Sequence, residues 1–441
     1  MAESKPSVVV VGAGFAGLGA AYELARRGCA VTVLEADGDI GGLAGSFRVN
    51  SASLEKFYHH WFTSDQAVMD TVHELGLDAQ IVYRSTPTGL YFANRRYRLS
   101  TPIDVLRFTP LGWLDRIRLG LLMVHARRYG DWRQLDHISA ADWIRQHAGS
   151  EVYRVVWEPL MKGKFGEFAE SVSAAWFWSK LIIRGGSRGK GGGESLAYFR
   201  GGFTALAQAI ADDIRAHGGE IRTECPALAL DVDHSRVAGV RTGAGTIPCR
   251  AVILTTPLPI AADLLAPHAP TDYISRLRSV RFLANVCQVL VLERSLSNLY
   301  WTNVNDAKFP FVGIIEHTNF EPPESYGGRH IVYLSKYLFE SADLWRMDDR
   351  ALLQFSLPHI RRMFPEFDDK WIVGHHVWRA AYAQPLVEVG YSEKIPPVET
   401  PLDNAFLVTM AQVYPEDRGT NYALRDGRRM GERIAAQFGR G

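Results

Sequence analysis

The chain has 441 residues, more than the roughly 250–300 at which single hydrophobic cores stop growing, so its length predicts two lobes. Hydrophobic residues make up 47% and charged residues 22% of the sequence, which is typical of an ordinary globular protein. The 49 basic and 48 acidic residues nearly cancel, and a formal charge of +1 excludes a global field that would favour nucleic acid as a partner.

The cysteines and the N-terminus bear on metal content and compartment. The four cysteines have no metal-type spacing and lie in apolar, strand-like contexts, which favours buried, reduced thiols and no metal site. The opening residues, MAESKPS, lack the apolar segment of a secretory signal, and no run reaches the ~18 apolar residues of a spanning helix. These observations predict a cytoplasmic protein.

The N-terminal segment has the pattern of a nucleotide-binding strand, loop and helix. The run SVVVVG predicts a strand buried on both faces, and Gly12, Gly14 and Gly17 follow it in G-x-G-x-x-G spacing. In that spacing the first glycine permits a tight turn, the second lets backbone approach a pyrophosphate, and the third lets the helix pack closely on the strand. A helix is predicted from about Phe15 to Arg27, and its N-terminal N–H groups would face the phosphates.

A second predicted strand, AVTVLE, ends in an acidic residue. Glu35 stands 21 positions after Gly14, where a carboxylate accepts hydrogen bonds from the ribose hydroxyls of a dinucleotide. The same carboxylate disfavours NADP, because the 2′-phosphate would meet a negative charge. Strand, helix, second strand and terminal acid in this order predict dinucleotide binding.

The segment after the acid favours FAD over NAD. EADGDIGGLAGSF adds Gly41 and Gly42, and here the chain resembles the FAD-dependent amine-oxidase superfamily. That superfamily includes protoporphyrinogen oxidase, phytoene desaturase and monoamine oxidase, with UDP-galactopyranose mutase as a relative. The resemblance implies that the glycine pair approaches the diphosphate and ribityl chain of the flavin, although Leu43 stands where the family usually has arginine. A simple surface turn is the alternative.

Two further blocks carry the resemblance. Residues 198–221, YFRGGFTALAQAIADDIRAHGGEI, resemble the family's glycine pair that leads into a helix, and Ala227 then aligns with a position that contacts adenine through its backbone. Residues 405–438 resemble the loop and final helix whose backbone N–H groups meet the flavin ring. In this block 409–411 read Thr-Met-Ala instead of the usual Gly-Asp or Gly-Arg.

The motif and the resemblance together imply a noncovalent FAD site, since no cysteine lies near the C-terminal loop. The expected FAD-binding residues are Gly12, Gly14, Phe15, Ala16, Gly17, Glu35, Ala36, Gly41, Gly42, Leu43, Ala227, Gly419, Thr420, Asn421 and Tyr422. Without a flavin, the last block would be a terminal helix capped by Thr420 or Asn421.

The expected fold class is α/β, with a Rossmann-type FAD-binding domain of the glutathione-reductase-like kind and an interleaved α+β substrate domain. The FAD-binding domain is expected from residues 1–90, 200–285 and 395–441, and the substrate domain from residues 91–199 and 286–394. The glycine-rich segment RGGSRGKGGGES is expected to be either a lid over the pocket or a surface loop.

Five residues are candidates for catalysis or substrate contact. His60 (catalytic) and His59 (substrate-binding) lie in LEKFYHHWFTSD, which resembles the histidine loop of UDP-galactopyranose mutase; structural histidines are the alternative. Lys336 shares a strand face with two leucines, which suggests catalysis or, alternatively, protection of an edge strand. Tyr382 and Tyr414 are candidate substrate contacts, with core packing as the alternative.

Residues 99–132 predict an amphipathic helical stretch that includes Trp113, Leu114, Ile117, Leu121 and Leu122. Packing inside the substrate lobe is the favoured interpretation of these side chains. Contact with one membrane leaflet, which the resemblance to some relatives implies, is the alternative.

The resemblance implies an FAD-dependent oxidoreductase that passes a hydride from a C–H bond of a small organic substrate to flavin N5. Amine, alcohol and desaturation-type oxidations all fit, and the electron acceptor is left open. One alternative is a non-redox mutase for a nucleotide sugar, whose diphosphate would need arginines such as Arg184, Arg188, Arg281 or Arg379. A noncatalytic flavin-binding protein is a second alternative, and an NAD-dependent dehydrogenase comes last.

Overall fold

The computed structural model describes residues 5–186, 195–306 and 308–439. Its strands are β1 Ser7–Val11, β2 Ala30–Leu34, β3 Ser46–Val49, β4 Ala52–Glu55, β5 Trp61–Phe62, β6 Ile81–Ser85, β7 Thr88–Phe92, β8 Arg95–Arg98, β9 Ser195–Phe199, β10 Glu220–Arg222, β11 Ala229–Asp233, β12 Arg236–Thr242, β13 Gly245–Pro248, β14 Ala251–Leu254, β15 Phe282–Leu292, β16 Trp301–Val304, β17 Gly313–Glu316, β18 His330–Leu338, β19 Ile372–Pro385 and β20 Ala405–Leu407. Its α-helices are α1 Phe15–Arg26, α2 Gln66–Glu74, α3 Pro102–Leu106, α4 Trp113–Ala126, α5 Ala140–Ala148, α6 Ser150–Val152, α7 Glu158–Phe165, α8 Ala174–Gly186, α9 Phe203–Ala216, α10 Leu258–Leu265, α11 Thr271–Ser279, α12 Asp343–Arg346, α13 Asp349–Met363 and α14 Thr420–Phe438. Most of the expected lid segment, 184–195, lies outside the described residues, as does Arg188.

A five-stranded parallel sheet forms the first lobe, in the order β10-β2-β1-β14-β20. The four consecutive valines of β1 are buried, as expected for a central strand covered on both faces. Helices α9 and α14 both pack against α1, which follows β1 through the glycine turn. The strands come from the beginning, the middle and the end of the chain, so three separated blocks build one lobe.

A larger, mostly antiparallel sheet forms the second lobe, in the order β19-β15-β18-β17-β16-β7-β8. Only the pair of β16 with β7 is parallel among its ladders. The expected domain boundary between residues 285 and 286 falls inside β15, and β9 pairs with β5 and β6, from the segment expected in the FAD-binding domain. The division of the chain into two domains at those boundaries stays a prediction.

Helix α4 exposes most of the apolar side chains that the sequence places inside the substrate lobe. Trp113, Leu114, Ile117 and Leu121 are 66%, 70%, 50% and 45% exposed, so the prediction of internal packing is wrong for these four. The helix instead buries the stripe through Leu119, Leu122 and Ala126, which lies on its other side. The exposed face is compatible with the alternative of membrane contact. Among the described residues, no helix is both long and apolar enough to cross a bilayer.

Candidate active site

A cavity of about 330 Å³ lies where α7, α8, the large sheet and the start of α14 meet. The loop between β4 and β5, which carries the two adjacent histidines, forms another part of its wall. Most of the wall is aromatic or aliphatic, with a few polar and charged groups between the rings. A concave, largely apolar cavity with a small number of polar groups is the usual form of a small-molecule site.

The first glycine loop, residues 12–17, contains two glycines that the packing of the turn requires and one that it does not. Gly12 has φ +106°, and a Cβ there would lie 2.6 Å from Oγ1 of Thr255, while a Cβ at Gly17 would lie 1.9 Å from the Gly12 carbonyl oxygen. Packing of the turn therefore explains these two positions. A Cβ at Gly14 would meet only Cα of Gly42, at 3.9 Å. Because the described chain does not require glycine at Gly14, close approach of a ligand explains it better.

The second glycine pair contacts the first loop and is not an isolated surface turn. Gly41 has φ +108° and donates its N–H to the Ala13 carbonyl (2.8 Å). Gly42 has φ +58°, and a Cβ there would lie 3.2 Å from Cα of Gly14. The next residue, Leu43, lines the cavity. The second glycine loop therefore leads from the first loop to the cavity.

Glu35 and the segment after β10 lie beside the first glycine loop. The Glu35 carboxylate accepts the backbone N–H groups of Ala13 (2.7 Å) and Asp37 (3.0 Å). Ala36, which lies between Glu35 and Asp37, is exposed. Cys225 donates its N–H to the Glu35 carbonyl (2.7 Å), and Ala227 lies two residues further along the chain. The half-exposed carboxylate keeps lone pairs for hydroxyl donors from a ribose.

Helices α1 and α14 lie side by side and run parallel. A Cβ at Gly427 would lie 2.0 Å from the Ala16 carbonyl oxygen, and one at Gly431 would lie 2.5 Å from the Ala20 carbonyl oxygen. Phe15 begins α1, so Ala16 is its second residue, whereas Gly427 is the eighth of α14. Helix α14 therefore extends about six residues further than α1 on the N-terminal side of this contact. At the α-helical rise, its start lies about 9 Å beyond the start of α1, on the same side of the lobe.

The start of α14 borders the cavity through Gly419, Thr420, Asn421 and Tyr422. Gly419 is the N-cap residue, and no side chain caps the helix. The Thr420 hydroxyl instead accepts a hydrogen bond from Nε1 of Trp61 (2.7 Å), and the Asn421 side chain accepts one from a backbone N–H of α2 (3.1 Å). The alternative of a helix capped by Thr420 or Asn421 is therefore wrong, and the first-turn N–H groups are available to a ligand.

Both histidines of the β4–β5 loop line the cavity. Nδ1 of His59 lies 2.6 Å from the Phe57 carbonyl, and Nδ1 of His60 lies 2.9 Å from the Tyr300 hydroxyl. Burial lowers the pKa of His59 to about 4 and the pKa of His60 to about 3. Both rings are therefore neutral near pH 7, where they can form hydrogen bonds but do not take up a proton easily.

Lys336 lies on the side of the large sheet that faces away from the cavity. Its strand neighbours alternate: Ser335 bonds to a buried asparagine that lines the cavity, and Tyr337 lines it directly. Leu334 and Leu338 share the Lys336 side and pack in clusters with residues of α13. The edge-strand alternative is also wrong, because β18 lies between β15 and β17. Lys336 is therefore not brought to this cavity.

The two candidate tyrosines lie outside the cavity wall. The Tyr382 ring packs against Phe282, with 5.7 Å between centroids. Tyr414 is buried, and its hydroxyl contacts Asp136 and lies 2.6 Å from the Ser173 hydroxyl. The packing alternative fits both residues better than substrate contact does.

A group of charged side chains in the cavity wall was missed by the sequence analysis. Lys164 of α7 and Lys180 of α8 both contact the Asp417 carboxylate, with 3.6 Å between Nζ of Lys164 and Oδ2. Nε1 of Trp176 donates to the other carboxylate oxygen (3.1 Å). The next residue, Arg418, donates to a tyrosine hydroxyl of β18 (2.8 Å). Tertiary contacts thus bring three cationic groups around one acid.

Within this group, the pKa of Lys164 lies closest to neutral pH. Burial would raise the pKa of Asp417, but the charges of Lys164, Lys180 and Arg418 outweigh it and hold that pKa well below its usual range. Burial lowers the pKa of Lys164 to about 7, although Asp417 opposes the shift, and it also lowers the pKa of Lys180. Asp417 is therefore ionised, while Lys164 is easily discharged.

Three buried polar atoms on cavity-lining residues have no hydrogen-bond partner within the described chain. They are Nε1 of Trp157, Oδ1 of Asn285 and Nε of Arg418. Buried polar atoms in folded proteins are nearly always paired, so these atoms indicate a ligand with polar groups of its own. Among the described residues there is no group of three metal-ligating side chains, and no cysteine lines the cavity.

A parallel nucleotide-binding sheet whose glycine loops lead to an aromatic cavity is the arrangement of a two-lobed flavoprotein. The family of flavin containing amine oxidoreductases matches residues 15–434, nearly the whole chain, and the chain belongs to this family. The predicted family resemblance, the α/β fold class with a Rossmann-type FAD-binding domain and the FAD cofactor are thereby confirmed.

Curated relatives are similar to this chain over part of their length. Coproporphyrinogen III oxidase of Propionibacterium freudenreichii subsp. freudenreichii is 24% identical over 320 residues, which cover 60% of this chain and 59% of that protein. Putrescine oxidase of Kocuria rosea is 35% identical over 158 residues, which cover 33% of this chain and 32% of that protein. The chain therefore spans less than two thirds of the length of these relatives.

Solved structures are similar over nearly the whole chain. A protein from Exiguobacterium sp. 255-15, described as a candidate protoporphyrinogen oxidase, superposes with a TM-score of 0.79 at 18% identity, over 98% of this chain and 99% of that chain. A reduced UDP-galactopyranose mutase superposes with a TM-score of 0.75 at 15% identity, over 98% of this chain and 96% of that chain. At these identities the likeness shows the fold alone.

Proposed function

We propose that this chain is an FAD-dependent oxidoreductase that removes a hydride from a C–H bond of a small organic substrate. The observation that carries the proposal is the aromatic cavity at the start of α14, to which the second glycine loop leads. When bound, FAD supplies an acceptor for the hydride and passes the electrons to an oxidant. Amine, alcohol and desaturation-type substrates all meet this description.

The first lobe would hold the adenosine and diphosphate of FAD. Gly14 leaves open space where the diphosphate would lie, and the N–H groups of Phe15 and Ala16 belong to the helix N-terminus that would face it. Glu35 would accept the ribose hydroxyls, and the backbone at Ala227 would contact the adenine. These assignments use groups that have spare hydrogen-bonding capacity or open space beside them.

The second glycine loop and α14 would hold the remainder of the cofactor. Gly41, Gly42 and Leu43 lie on the path from the first loop to the cavity, beside the expected ribityl chain. The backbone N–H groups at Gly419 and Thr420 would face the ring, where the positive end of the helix stabilises negative charge. No cysteine lines the cavity within the described chain, which supports noncovalent binding.

The cavity wall would position the substrate and exclude water. Rings such as Trp157, Trp176 and Trp301 surround the space, so a substrate enters a site of low polarity next to the helix N-terminus. His59 and His60 offer neutral imidazole groups, which can hydrogen-bond to the substrate without adding charge. The chain itself would therefore orient the substrate, keep water out of the site and stabilise negative charge on the ring.

A non-redox mutase that acts on a nucleotide sugar is the second candidate. The histidine loop supports it, and Arg184 lines the cavity. Two of the other arginines considered for a diphosphate clamp are bound elsewhere: Arg281 to Glu388 (2.6 Å) and Arg379 to Asp349 (3.0 Å). Because the clamp is incomplete within the described chain, the oxidoreductase is favoured.

Anaerobic reduction of the bound flavin tests these alternatives. FAD-loaded protein would be mixed without oxygen with amines, polyprenoids, porphyrinogens and nucleotide sugars in turn, and the flavin absorbance followed. Bleaching by a member of the first three classes is expected. If none of them bleaches the flavin and the pre-reduced protein isomerises a nucleotide sugar, the mutase replaces the oxidoreductase. If FAD binds and no class has any effect, the result favours a noncatalytic flavin-binding protein.

A further inference from the structure

The cavity wall carries more positive than negative charge. Its lysine, arginine and acidic side chains are Lys164, Lys180, Arg184, Arg418, Asp65 and Asp417, so that four cations face two acids. We name the four basic residues the cationic cluster. Arg184 is exposed, whereas Lys164, Lys180 and Arg418 are partly buried. Partly desolvated charge without enough counter-charge costs free energy, so these three side chains favour an anionic ligand.

The acids of the wall do not neutralise the cationic cluster. Lys164 and Lys180 converge on one oxygen of Asp417, and Trp176 occupies the other oxygen. Asp65 accepts the backbone N–H of Phe62, at the end of β5 (3.0 Å), and forms no ion pair with the cluster among the described residues. The cluster therefore keeps donor capacity that the described chain does not use.

Arg418 shows the unused capacity most clearly. One guanidinium nitrogen donates to the hydroxyl of Tyr337 (2.8 Å), whereas Nε is buried without a hydrogen-bond partner in the described chain. A guanidinium presents its N–H groups in a planar fork that matches a carboxylate. Arg418 and Tyr337 both line the cavity, so a carboxylate beside Tyr337 would lie next to this guanidinium.

We propose that the cationic cluster binds a carboxylate of the substrate, and that the substrate is a small organic acid with an apolar or aromatic body. The proposal deepens the proposed function, because it concerns the same cavity and the same reaction. The aromatic wall accounts for the apolar body, and the cluster accounts for the acid. A substrate with only a cationic amine is disfavoured, since its ammonium group would meet excess positive charge.

Three probes of one shape test the charge preference directly. Phenylacetate, its neutral amide phenylacetamide and the cation phenethylamine would be titrated into the FAD-loaded protein by calorimetry, which requires no turnover. Phenylacetate is expected to bind at least about tenfold more tightly than the amide, as loss of a charge-assisted hydrogen bond predicts. Equal affinities, or tighter binding of the amine, would overturn the proposal.

Variants test whether the cationic cluster causes the preference for phenylacetate over its amide. Lys164→Met and Lys180→Met are each expected to reduce the preference for phenylacetate about tenfold, while Lys164→Arg retains it. Lys162→Met is the matched control, because Lys162 lies on the same helix, is 52% exposed and pairs with Glu158. A preference that survives both methionine variants, or that falls equally in the control, would contradict the assignment.

A nucleotide arm separates a carboxylate from a diphosphate. UDP would be titrated under the same conditions, and it is expected to bind more weakly than phenylacetate. If UDP binds more tightly and Lys164→Met abolishes its binding, the carboxylate assignment is overturned in favour of a nucleotide. Failure of this inference can be told apart from failure of the proposed function. If neutral donors bleach the flavin but the protein shows no preference for the carboxylate, only this inference is refuted.

Discussion

Nζ of Lys164 lies 3.6 Å from Oδ2 of Asp417, although one residue belongs to the helical part of the second lobe and the other precedes the final helix of the first. The ammonium group also lies over the rings of Trp176 and Tyr337, with 4.7 and 5.4 Å to the centroids. This pair joins the two lobes at the cavity. It places a cation of lowered pKa where the substrate is expected.

Binding of phenylacetate should weaken as pH rises above about 7. Burial lowers the pKa of Lys164 to about 7 against the opposing charge of Asp417, with Lys180, Arg418 and Tyr337 as its other ionisable neighbours. A bound carboxylate favours the charged ammonium and raises this pKa. Affinity is therefore full below pH 7 and falls by up to about tenfold per pH unit above it. Calorimetric titrations from pH 6 to pH 9 measure the decline.

The Lys164→Arg variant is the control for this pH dependence. A guanidinium stays charged throughout the range, so its affinity for phenylacetate should remain nearly constant. An equal decline in the variant would show that another group titrates. An affinity that rises with pH in the natural protein would contradict the assigned role of Lys164.

Gly14→Ala should weaken FAD binding without destabilising the FAD-free protein. A Cβ at Gly14 meets only Cα of Gly42 at 3.9 Å, so the free energy of unfolding should change by no more than about 0.5 kcal/mol. The same Cβ would obstruct the expected diphosphate, and the dissociation constant of FAD should rise at least about tenfold. Thermal unfolding of the FAD-free protein and fluorescence titration with FAD measure the two effects.

Gly427→Ala provides the opposite control. Its Cβ would lie 2.0 Å from the Ala16 carbonyl oxygen, so α1 and α14 must separate, at a cost of about 1–3 kcal/mol or more. Loss of stability should therefore accompany any loss of FAD. If Gly14→Ala unfolds the protein as readily as Gly427→Ala does, the open space beside Gly14 is not a ligand site.

The flavin should be released by acid precipitation. Within the described chain no cysteine lines the cavity, and Cys29, Cys249 and Cys287 are buried elsewhere. Centrifugation after denaturation with acid should leave the yellow cofactor in the supernatant, where chromatography identifies it as FAD. Colour that stays with the protein pellet would indicate a covalent bond and contradict the prediction.

The rate of flavin reduction should show no transition from the titration of His60 near its ordinary pKa. Burial, assisted by the charge of Arg184, lowers the pKa of His60 to about 3, so the ring stays neutral from pH 5 to pH 9. Rapid mixing with a substrate across this range measures the profile. A transition between pH 6 and pH 7 that disappears in His60→Asn would show that the imidazole does exchange a proton.

Local pattern was sufficient to predict the nucleotide-binding part of the molecule. Gly12, Gly14 and Glu35 stand in one strand–helix–strand unit, where spacing along the chain determines position in space. The residues from Gly419 to Tyr422 were found through a family resemblance, and they do border the cavity. Their contacts with FAD stay a prediction.

The cationic cluster could not be predicted in the same way. Lys180 and Asp417 are 237 positions apart, and only the packing of two lobes brings them together. Each lysine lies on a helix, where lysine is usually solvated, so sequence alone favoured no role for either. The aromatic residues around Lys180 in WFWSKL were the one signal of a buried setting.

Two errors have the same origin. The alternation around Lys336 was interpreted correctly as two faces, but the strand pattern does not reveal which face meets the cavity. The apolar residues of α4 were taken as a buried stripe, yet Leu114 and Ile117 face outward while Leu122 is buried. Periodicity identifies faces, and only tertiary structure assigns what covers each of them.

The stoichiometry of electron acceptor to product tests the central claim most directly. For a substrate that bleaches the bound flavin, oxygen or an artificial two-electron acceptor would be measured against product during steady turnover. An FAD-dependent oxidoreductase predicts one two-electron equivalent of acceptor reduced for each hydride removed, which is one per product for a single C–H oxidation and three for a porphyrinogen oxidised to a porphyrin. Continued product formation with no acceptor consumed would contradict the claim and identify a non-redox flavoenzyme.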